Sequence, residues 1–234
     1  MADDPYQNDR EEMVVVIAAI VARLADRLGR GELDSRVLRA MLRVPRHHFV
    51  PVEVISYAYA DSPLPIGFGK TISQPFMVAL MADLLAPRES DRVLEVGTGL
   101  GYQSAILSQL AGHVCSIEIV EELAVEAKRK LAETGCENVE TRTGDGARGW
   151  PERAPFDSIL VAAAPEMIPP LLLHQLRPGG RMVLPAGPTD HQILMLVEKD
   201  ADGHLHSREI LPVRFVPLES EDDEFDDGAP TALA

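Results

Sequence analysis

Three alternate glycines, Gly97, Gly99 and Gly101, form the pattern in the chain with the clearest chemical meaning. The apolar residues at 93–96 predict a buried strand before them, and a helical pattern begins at Tyr102. Glycine lets the main chain approach a ligand closely, and free N–H groups at a helix start hold polar ligand atoms. The pattern therefore predicts a nucleotide-type ligand, with a ligand-free strand–helix turn as the simpler alternative.

Two ligand classes use a glycine turn of this kind. The dinucleotide fingerprint requires G-x-G-x-x-G/A, but its last position falls on Tyr102 or on Ser104 in the two possible registers. This failure disfavours an NAD-dependent oxidoreductase. Glu95 and the three glycines instead resemble the first motif of Rossmann-like methyltransferases that bind S-adenosylmethionine, and in that motif Thr98 is a further cofactor-binding residue.

Two acidic residues follow the next two predicted strands. Glu118 comes seventeen positions after Gly101, where a carboxylate can hold a ribose hydroxyl pair, and Asp145 lies before Gly146, where it can accept from an exocyclic amine. Each has an alternative role, Glu118 as a helix cap and Asp145 as a turn former. Because parallel strands end at one edge of a sheet, the residues together predict a nucleoside-bearing cofactor.

Strands alternate with helices over most of the chain, which predicts an α/β protein with a doubly wound, mostly parallel sheet. The last hairpin is expected to be antiparallel at one edge, and the first two helices are expected to form an N-terminal helical extension. The predicted helices cover 11–28, 34–44, 77–85, 102–110, 121–134 and 168–176, and the strands cover 93–96, 114–118, 139–143, 156–163, 181–184, 192–198 and 206–216.

Prolines and glycines interrupt residues 46–74, which predicts a long loop whose second half has a function. We therefore divide the chain into a helical cover and loop at 1–60 and a main domain at 61–218. A lid is expected at 61–75, and 219–234 is expected to be an acidic, disordered tail.

The composition excludes several function classes. The chain has 234 residues and a net charge of −15, and it stays acidic without the seven carboxylates of 219–227. A nucleic-acid partner needs a basic face, so none is expected. Cys115 and Cys136 form no C-x-x-C pair and favour a reducing cytoplasm. The apolar run at 13–22 is too short to span a membrane, and no membrane partner is expected.

His204 and His206 have the i, i+2 spacing of a metal pair, but no third ligand is expected nearby, and we predict no metal. The sequence does not determine the oligomeric state, for which a monomer is the working expectation.

Seven further segments make the resemblance specific. The chain resembles the protein-L-isoaspartate O-methyltransferase family between about residues 32 and 218, and Thr-Ile-Ser-Gln-Pro at 71–75 is the most diagnostic segment. The matching segments are VPRHHFVP at 44–51, LPIG at 64–67, TISQP at 71–75, VLEVGTG at 93–99, GDG at 144–146, APFD at 154–157 and VRFVPL at 213–218.

The resemblance implies S-adenosylmethionine-dependent methylation of the free α-carboxylate of L-isoaspartyl residues in damaged peptides and proteins. The products are a methyl ester and S-adenosylhomocysteine, and the ester closes to a succinimide that returns some normal aspartyl linkage. No strong base is needed, because a carboxylate with a pKa of roughly 4 is ionised at neutral pH. Placement of the reacting atoms and exclusion of water are the requirements instead.

By the same resemblance, Ser73 is the catalytic residue: it contacts the cofactor beside the transferable methyl group and aims the substrate carboxylate. Thr71 and Ile72 also contact the cofactor. The alternative for Ser73 is a helix cap before Pro75. Arg214 and Val216 are expected to bind the substrate backbone; the alternative for Arg214 is an ordinary edge-strand arginine.

Two residues depart from the family pattern: Lys70 replaces the usual glutamine, and Leu100 replaces a small residue. Leu100 is expected to pack outward, with narrowing of the pocket as the alternative. Because of Lys70, an alternative function remains: a carboxylate methyltransferase that acts on a dedicated peptide or small-molecule substrate. A non-catalytic adenosyl-cofactor binding protein is the remaining alternative.

Overall fold

A seven-stranded sheet lies at the centre of the computed structural model, which describes residues 4–220. A separate two-stranded hairpin precedes it in the chain. The strands are β1 Leu64–Gly67, β2 Lys70–Ile72, β3 Arg92–Val96, β4 His113–Glu118, β5 Val139–Thr143, β6 Phe156–Val161, β7 Leu176–Ala186, β8 Gln192–Lys199 and β9 Leu205–Val213. The helices are α1 Gln7–Arg23, α2 Ala25–Leu28, α3 Ser35–Arg43, α4 Pro75–Leu85, α5 Tyr102–Ser108, α6 Glu121–Glu133 and α7 Pro170–Gln175.

The strand order β5-β4-β3-β6-β7-β8-β9 confirms the predicted doubly wound sheet. The first five strands in this order, from β5 across to β7, pair in parallel with their neighbours. Strand β8 is antiparallel to both β7 and β9. The chain runs from β3 outward to β5 and then returns to the other side of β3 at β6. This switch point between β3 and β6 opens a crevice beyond their carboxyl ends, where open α/β sheets bind ligands.

The N-terminal helices pack on one side of the sheet through α4. Every residue of α4 is buried, because this helix contacts β6 and β7 on one side and α1 and α3 on the other. The buried positions of α1 are spaced three or four residues apart, as expected for one packed face of a helix. Asp34 caps α3 by accepting a hydrogen bond from the Arg36 N–H at 2.8 Å.

Several boundaries differ from the sequence prediction. The first helix begins at Gln7 and is interrupted at Leu24, and the residues 46–74 contain two short 3-10 helices and the β1–β2 hairpin instead of a continuous loop. Strand β7 begins at Leu176 instead of at residue 181, and its register with β6 shifts. Strand β9 ends at Val213.

Residues 221–234, which carry most of the predicted acidic tail, lie outside the described part of the chain. No helix within residues 4–220 has both the length and the apolar character needed to cross a membrane.

Candidate active site

The glycine loop joins β3 to α5 and forms one wall of a cleft. Its three glycines have φ values of +92°, +57° and +97°, a region that side chains disfavour. At Gly101 an added Cβ would also lie 3.1 Å from Leu131 Cγ, so this glycine permits close packing against α6. Gly97 and Gly99 line the cleft, whereas Gly101 does not, and the cofactor contact predicted for Gly101 stays a prediction.

Glu118 ends β4 and fastens the loop. Its carboxylate is 5% exposed and accepts hydrogen bonds from the N–H groups of Gly99 at 2.7 Å and Val120 at 3.1 Å. Burial raises the pKa of Glu118, while these two N–H groups and the charge of Lys70 oppose that rise. Glu118 therefore contacts the segment before the next helix and lines the cleft, and its binding of a ribose hydroxyl pair stays a prediction.

Glu95 lies inside the molecule. Its side chain is fully buried and accepts hydrogen bonds from the hydroxyls of Ser104 and of Ser116, the latter at 2.6 Å. Burial raises the pKa of Glu95 to about 7, although the two serines oppose the shift. Thr98 joins this network through its hydroxyl, 2.6 Å from that of Ser116. Glu95 is not among the residues that line the cleft; it lies beneath the loop, and its cofactor contact stays a prediction.

Asp145 follows β5 and is also buried. Its Oδ1 accepts from the Ala147 N–H at 2.8 Å, and its Oδ2 accepts from the Ser220 hydroxyl at 2.7 Å. Asp145 therefore shapes a turn, as its alternative role predicted. Gly146 lines the cleft, and an added Cβ there would lie 2.3 Å from Val96 Cγ1, so only glycine fits against this strand.

Gly97, Gly99, Glu118 and Gly146 meet in a first cleft that encloses about 520 Å³ of empty space, including the open solvent at its mouth. Its walls are the strand ends, the hairpin and the segment 216–219. The residues that line it are Ile66, Lys70, Thr71, Val96, Gly97, Gly99, Ile117, Glu118, Ile119, Gly146, Ala162, Ala163, Val216, Pro217, Leu218 and Glu219.

A second cleft adjoins the first and is wider, at about 1,200 Å³. It contains Ser73, Arg214 and Val216, so the structure brings together all three predicted substrate-binding residues. Thr71, Ala162 and Val216 line both clefts. An inner cavity of about 450 Å³ lies between the hairpin and α5, and Ile72, Ser73 and Thr98 are among the residues that line it.

Leu100 also lines this inner cavity and is 7% exposed, so the expectation that it packs outward was wrong.

The segment that carries Ser73 is held by a residue that sequence reasoning missed. Gln74, not Ser73, is the N-cap of α4, and its side chain makes no cap hydrogen bond. Asp61 accepts instead from the Phe76 N–H at 2.7 Å and from Gln74 Nε2 at 3.1 Å. The alternative that Ser73 is only a cap therefore fails. The position of Asp61 at the start of the predicted lid was the available signal.

The histidine pair has a third group beside it, contrary to expectation. Asp200 Oδ2 lies 3.2 Å from His204 Nδ1 and 3.3 Å from His206 Nε2. Both imidazoles are exposed, and none of the three residues lines the clefts described above.

Comparison with known proteins adds independent observations. A family model described as Protein-L-isoaspartate(D-aspartate) O-methyltransferase matches residues 21–223. A protein-L-isoaspartate O-methyltransferase 1 from Polaromonas sp. is 56% identical, over 94% of this chain and 93% of its own length. A protein-L-isoaspartate O-methyltransferase 2 from Syntrophobacter fumaroxidans is 55% identical, over 93% and 88%.

Solved structures agree on the fold. A protein-L-isoaspartate O-methyltransferase superposes with a TM-score of 0.78 at 29% identity, over 90% of this chain and 66% of that one. A Plasmodium falciparum protein, described as a putative protein-L-isoaspartate O-methyltransferase in complex with S-adenosyl-L-homocysteine, gives a TM-score of 0.70 at 23% identity, over 86% and 97%.

Proposed function

The chain belongs to the protein-L-isoaspartate(D-aspartate) O-methyltransferase family, and on this premise we propose how its two adjoining clefts divide the reaction. The enzyme methylates isoaspartyl residues of peptides and proteins with S-adenosyl-L-methionine. We assign the cofactor to the first cleft and the isoaspartyl segment to the second. This assignment rests on one observation: the two clefts meet at Thr71, Ala162 and Val216, which line both of them.

The cofactor supplies an electrophilic methyl group on a sulfonium, and the protein needs to supply placement. The acceptor carboxylate is ionised at neutral pH, so no residue needs to remove a proton. Holding the acceptor oxygen in line with the methyl group lowers the barrier by removing translational and rotational freedom. The hairpin β1–β2 lies over the junction through Thr71 and Ile72 and acts as the predicted lid, which excludes water.

The donors and acceptors of the first cleft fit an adenosyl group. Gly97 and Gly99 leave room for close approach of the ligand, and Glu118 presents a buried carboxylate to a ribose hydroxyl pair. Asp145 does not line this cleft itself but precedes Gly146, which does, and it accepts from the exocyclic amine of adenine in place of the Ser220 hydroxyl that it binds here. Glu95 and Thr98 hold the loop from beneath.

In the second cleft, Ser73 donates a hydrogen bond that aims the isoaspartyl carboxylate at the junction. Asp61 fixes the backbone that carries this serine. Arg214 supplies a positive group, and the main chain at Val216 binds the extended peptide. The methyl ester then closes to a succinimide without further help: the neighbouring backbone amide nitrogen attacks the ester carbonyl, which is more electrophilic than a carboxylate, and methanol leaves with the amide proton. Hydrolysis of the succinimide returns some aspartyl linkage.

The chain has two buried cysteines that form no disulfide in the structure. Unpaired buried thiols suit a reducing compartment, so a cytoplasmic site of action is part of the proposal.

The function is tested with labelled S-adenosylmethionine and matched peptides that contain either L-isoaspartate or aspartate. We expect base-labile label on the isoaspartyl peptide alone. Label on neither peptide, although the cofactor binds, would favour a dedicated substrate or a non-catalytic binding protein. Equal label on both peptides would contradict recognition of the isoaspartyl group.

A further inference from the structure

Lys70, the residue that departs from the family's glutamine, makes a contact that links two separate parts of the chain. Its Nζ lies 2.5 Å from Glu219 Oε1. Lys70 begins the second strand of the hairpin, and Glu219 directly follows the C-terminal segment 216–218. Both residues line the first cleft, together with Glu118.

The C-terminal segment is anchored up to this ion pair by main-chain hydrogen bonds. The Ala164 N–H donates to Val216 O at 2.8 Å, and the Leu218 N–H donates to Ala164 O at 2.9 Å. Val216, Pro217 and Leu218 thereby form one wall of the first cleft. Beyond them, Ser220 donates to Asp145, on the side where we place the adenine.

The hairpin and this segment therefore flank the cleft, and the ion pair ties one to the other. We propose that Lys70 and Glu219 form a clasp that retains the adenosyl cofactor and opens when the product leaves. The inference rests on the cofactor cleft of the proposed function, but not on the identity of the methyl acceptor. It assigns to Lys70 a positioning role that depends on its positive charge, which a glutamine lacks.

The environment of the pair supports a measurable effect. The Lys70 side chain is 15% exposed, so its charge is shielded from water more than in a surface pair, while Glu219 is 57% exposed. Exposed pairs stabilise little and are screened by salt. A pair with one shielded partner is expected to slow ligand release several-fold and to lose this effect at high ionic strength.

The test measures the rate at which labelled S-adenosylhomocysteine leaves the full chain after excess unlabelled ligand is added. We expect Lys70→Gln and Glu219→Gln each to raise this rate by about 3- to 10-fold at low salt. The double variant should release the ligand no faster than either single variant. In 1 M NaCl the wild-type rate should rise toward that of the variants, because salt screens the pair.

Arg129→Gln provides the matched control, because it removes an arginine from an exposed ion pair with Glu126 on α6, away from the cleft. It should release the ligand at the wild-type rate. Unchanged rates in both clasp variants would overturn the proposal. A faster rate in Lys70→Gln but not in Glu219→Gln would also overturn it, because Lys70 would then act through Glu118. A wild-type protein that binds no S-adenosylhomocysteine would instead refute the cofactor site itself.

Discussion

The carboxylate of Glu118 lies 2.7 Å from the Gly99 backbone nitrogen, so the end of β4 is fastened to the glycine loop that follows β3. One acidic residue therefore shapes the loop and faces the cleft that we assign to the cofactor. Its oxygens also accept from the Val120 N–H, which leaves a charged, largely desolvated group at the place proposed for the ribose.

Substitution Glu118→Gln keeps an oxygen for the Gly99 N–H and removes the charge. We expect the affinity for S-adenosylhomocysteine to fall about 10-fold or more, because hydrogen bonds to a charged group contribute roughly 1.5–3 kcal/mol. Titration calorimetry measures this change. Glu121→Gln, at an exposed site three residues further on, should bind as the wild type does; equal losses in both variants would show a general charge effect.

The raised pKa of Glu95 predicts an unusual dependence of the free energy of unfolding on pH. Its pKa rises from 4.5 in the unfolded chain to about 7 in the folded protein, so the native state holds a proton that the unfolded state loses. The stabilisation from this group is complete below pH 4.5 and is lost as the pH rises to about 7. In that window its contribution to the free energy of unfolding falls by about 1.4 kcal/mol per pH unit.

Glu95→Gln removes this titration. The difference in unfolding free energy between Glu95→Gln and the wild type should therefore shift in favour of the variant between pH 5 and pH 7. Denaturant unfolding of both proteins at several pH values measures it. A difference that does not change with pH would show that Glu95 is ionised throughout.

Ser73→Ala should slow methyl transfer by a factor on the order of 10², because the hydroxyl that aims the acceptor is lost. The affinity for S-adenosylhomocysteine should remain within about twofold, since the serine faces the second cleft and the inner cavity. Steady-state kinetics and calorimetry separate the two effects. Unchanged turnover would remove Ser73 from the reaction.

Asp145→Ala should weaken binding of S-adenosylhomocysteine, whereas an analogue with oxygen in place of the adenine amine should bind both proteins equally. This comparison separates recognition of the amine from the turn that Asp145 also caps. Asp145→Asn keeps an acceptor for the Ala147 N–H and serves as the folding control. Equal losses for both ligands would reduce Asp145 to its structural role.

Local patterns predicted the sheet and the strand ends at which the candidate site residues lie. The strand before Gly97 and the helix after Gly101 are marked by hydrophobic periodicity and by glycines, and the chain shows both within twenty residues. Glu118 and Asp145 could be placed together because parallel strands end at one edge, a rule that needs no knowledge of packing.

The remaining features depend on contacts between distant residues. The hairpin at 64–72 was missed because its strands have four and three residues and contain Pro65, which hides the period-two pattern. Ser116, whose hydroxyl donates to Glu95, lies on the neighbouring strand β4 and is the register partner of Glu95. The Asp61 contact to α4 spans fifteen residues and forms only once the hairpin between them has folded.

The most direct measurement is a crystal structure of the protein with S-adenosylhomocysteine and an L-isoaspartyl peptide. We predict the adenosyl group in the first cleft beside Gly99 and Glu118, its sulfur facing Thr71 and Ala162, and the isoaspartyl carboxylate within hydrogen-bond distance of the Ser73 hydroxyl. A ligand bound outside this cleft, or a carboxylate held away from the junction, would contradict the account.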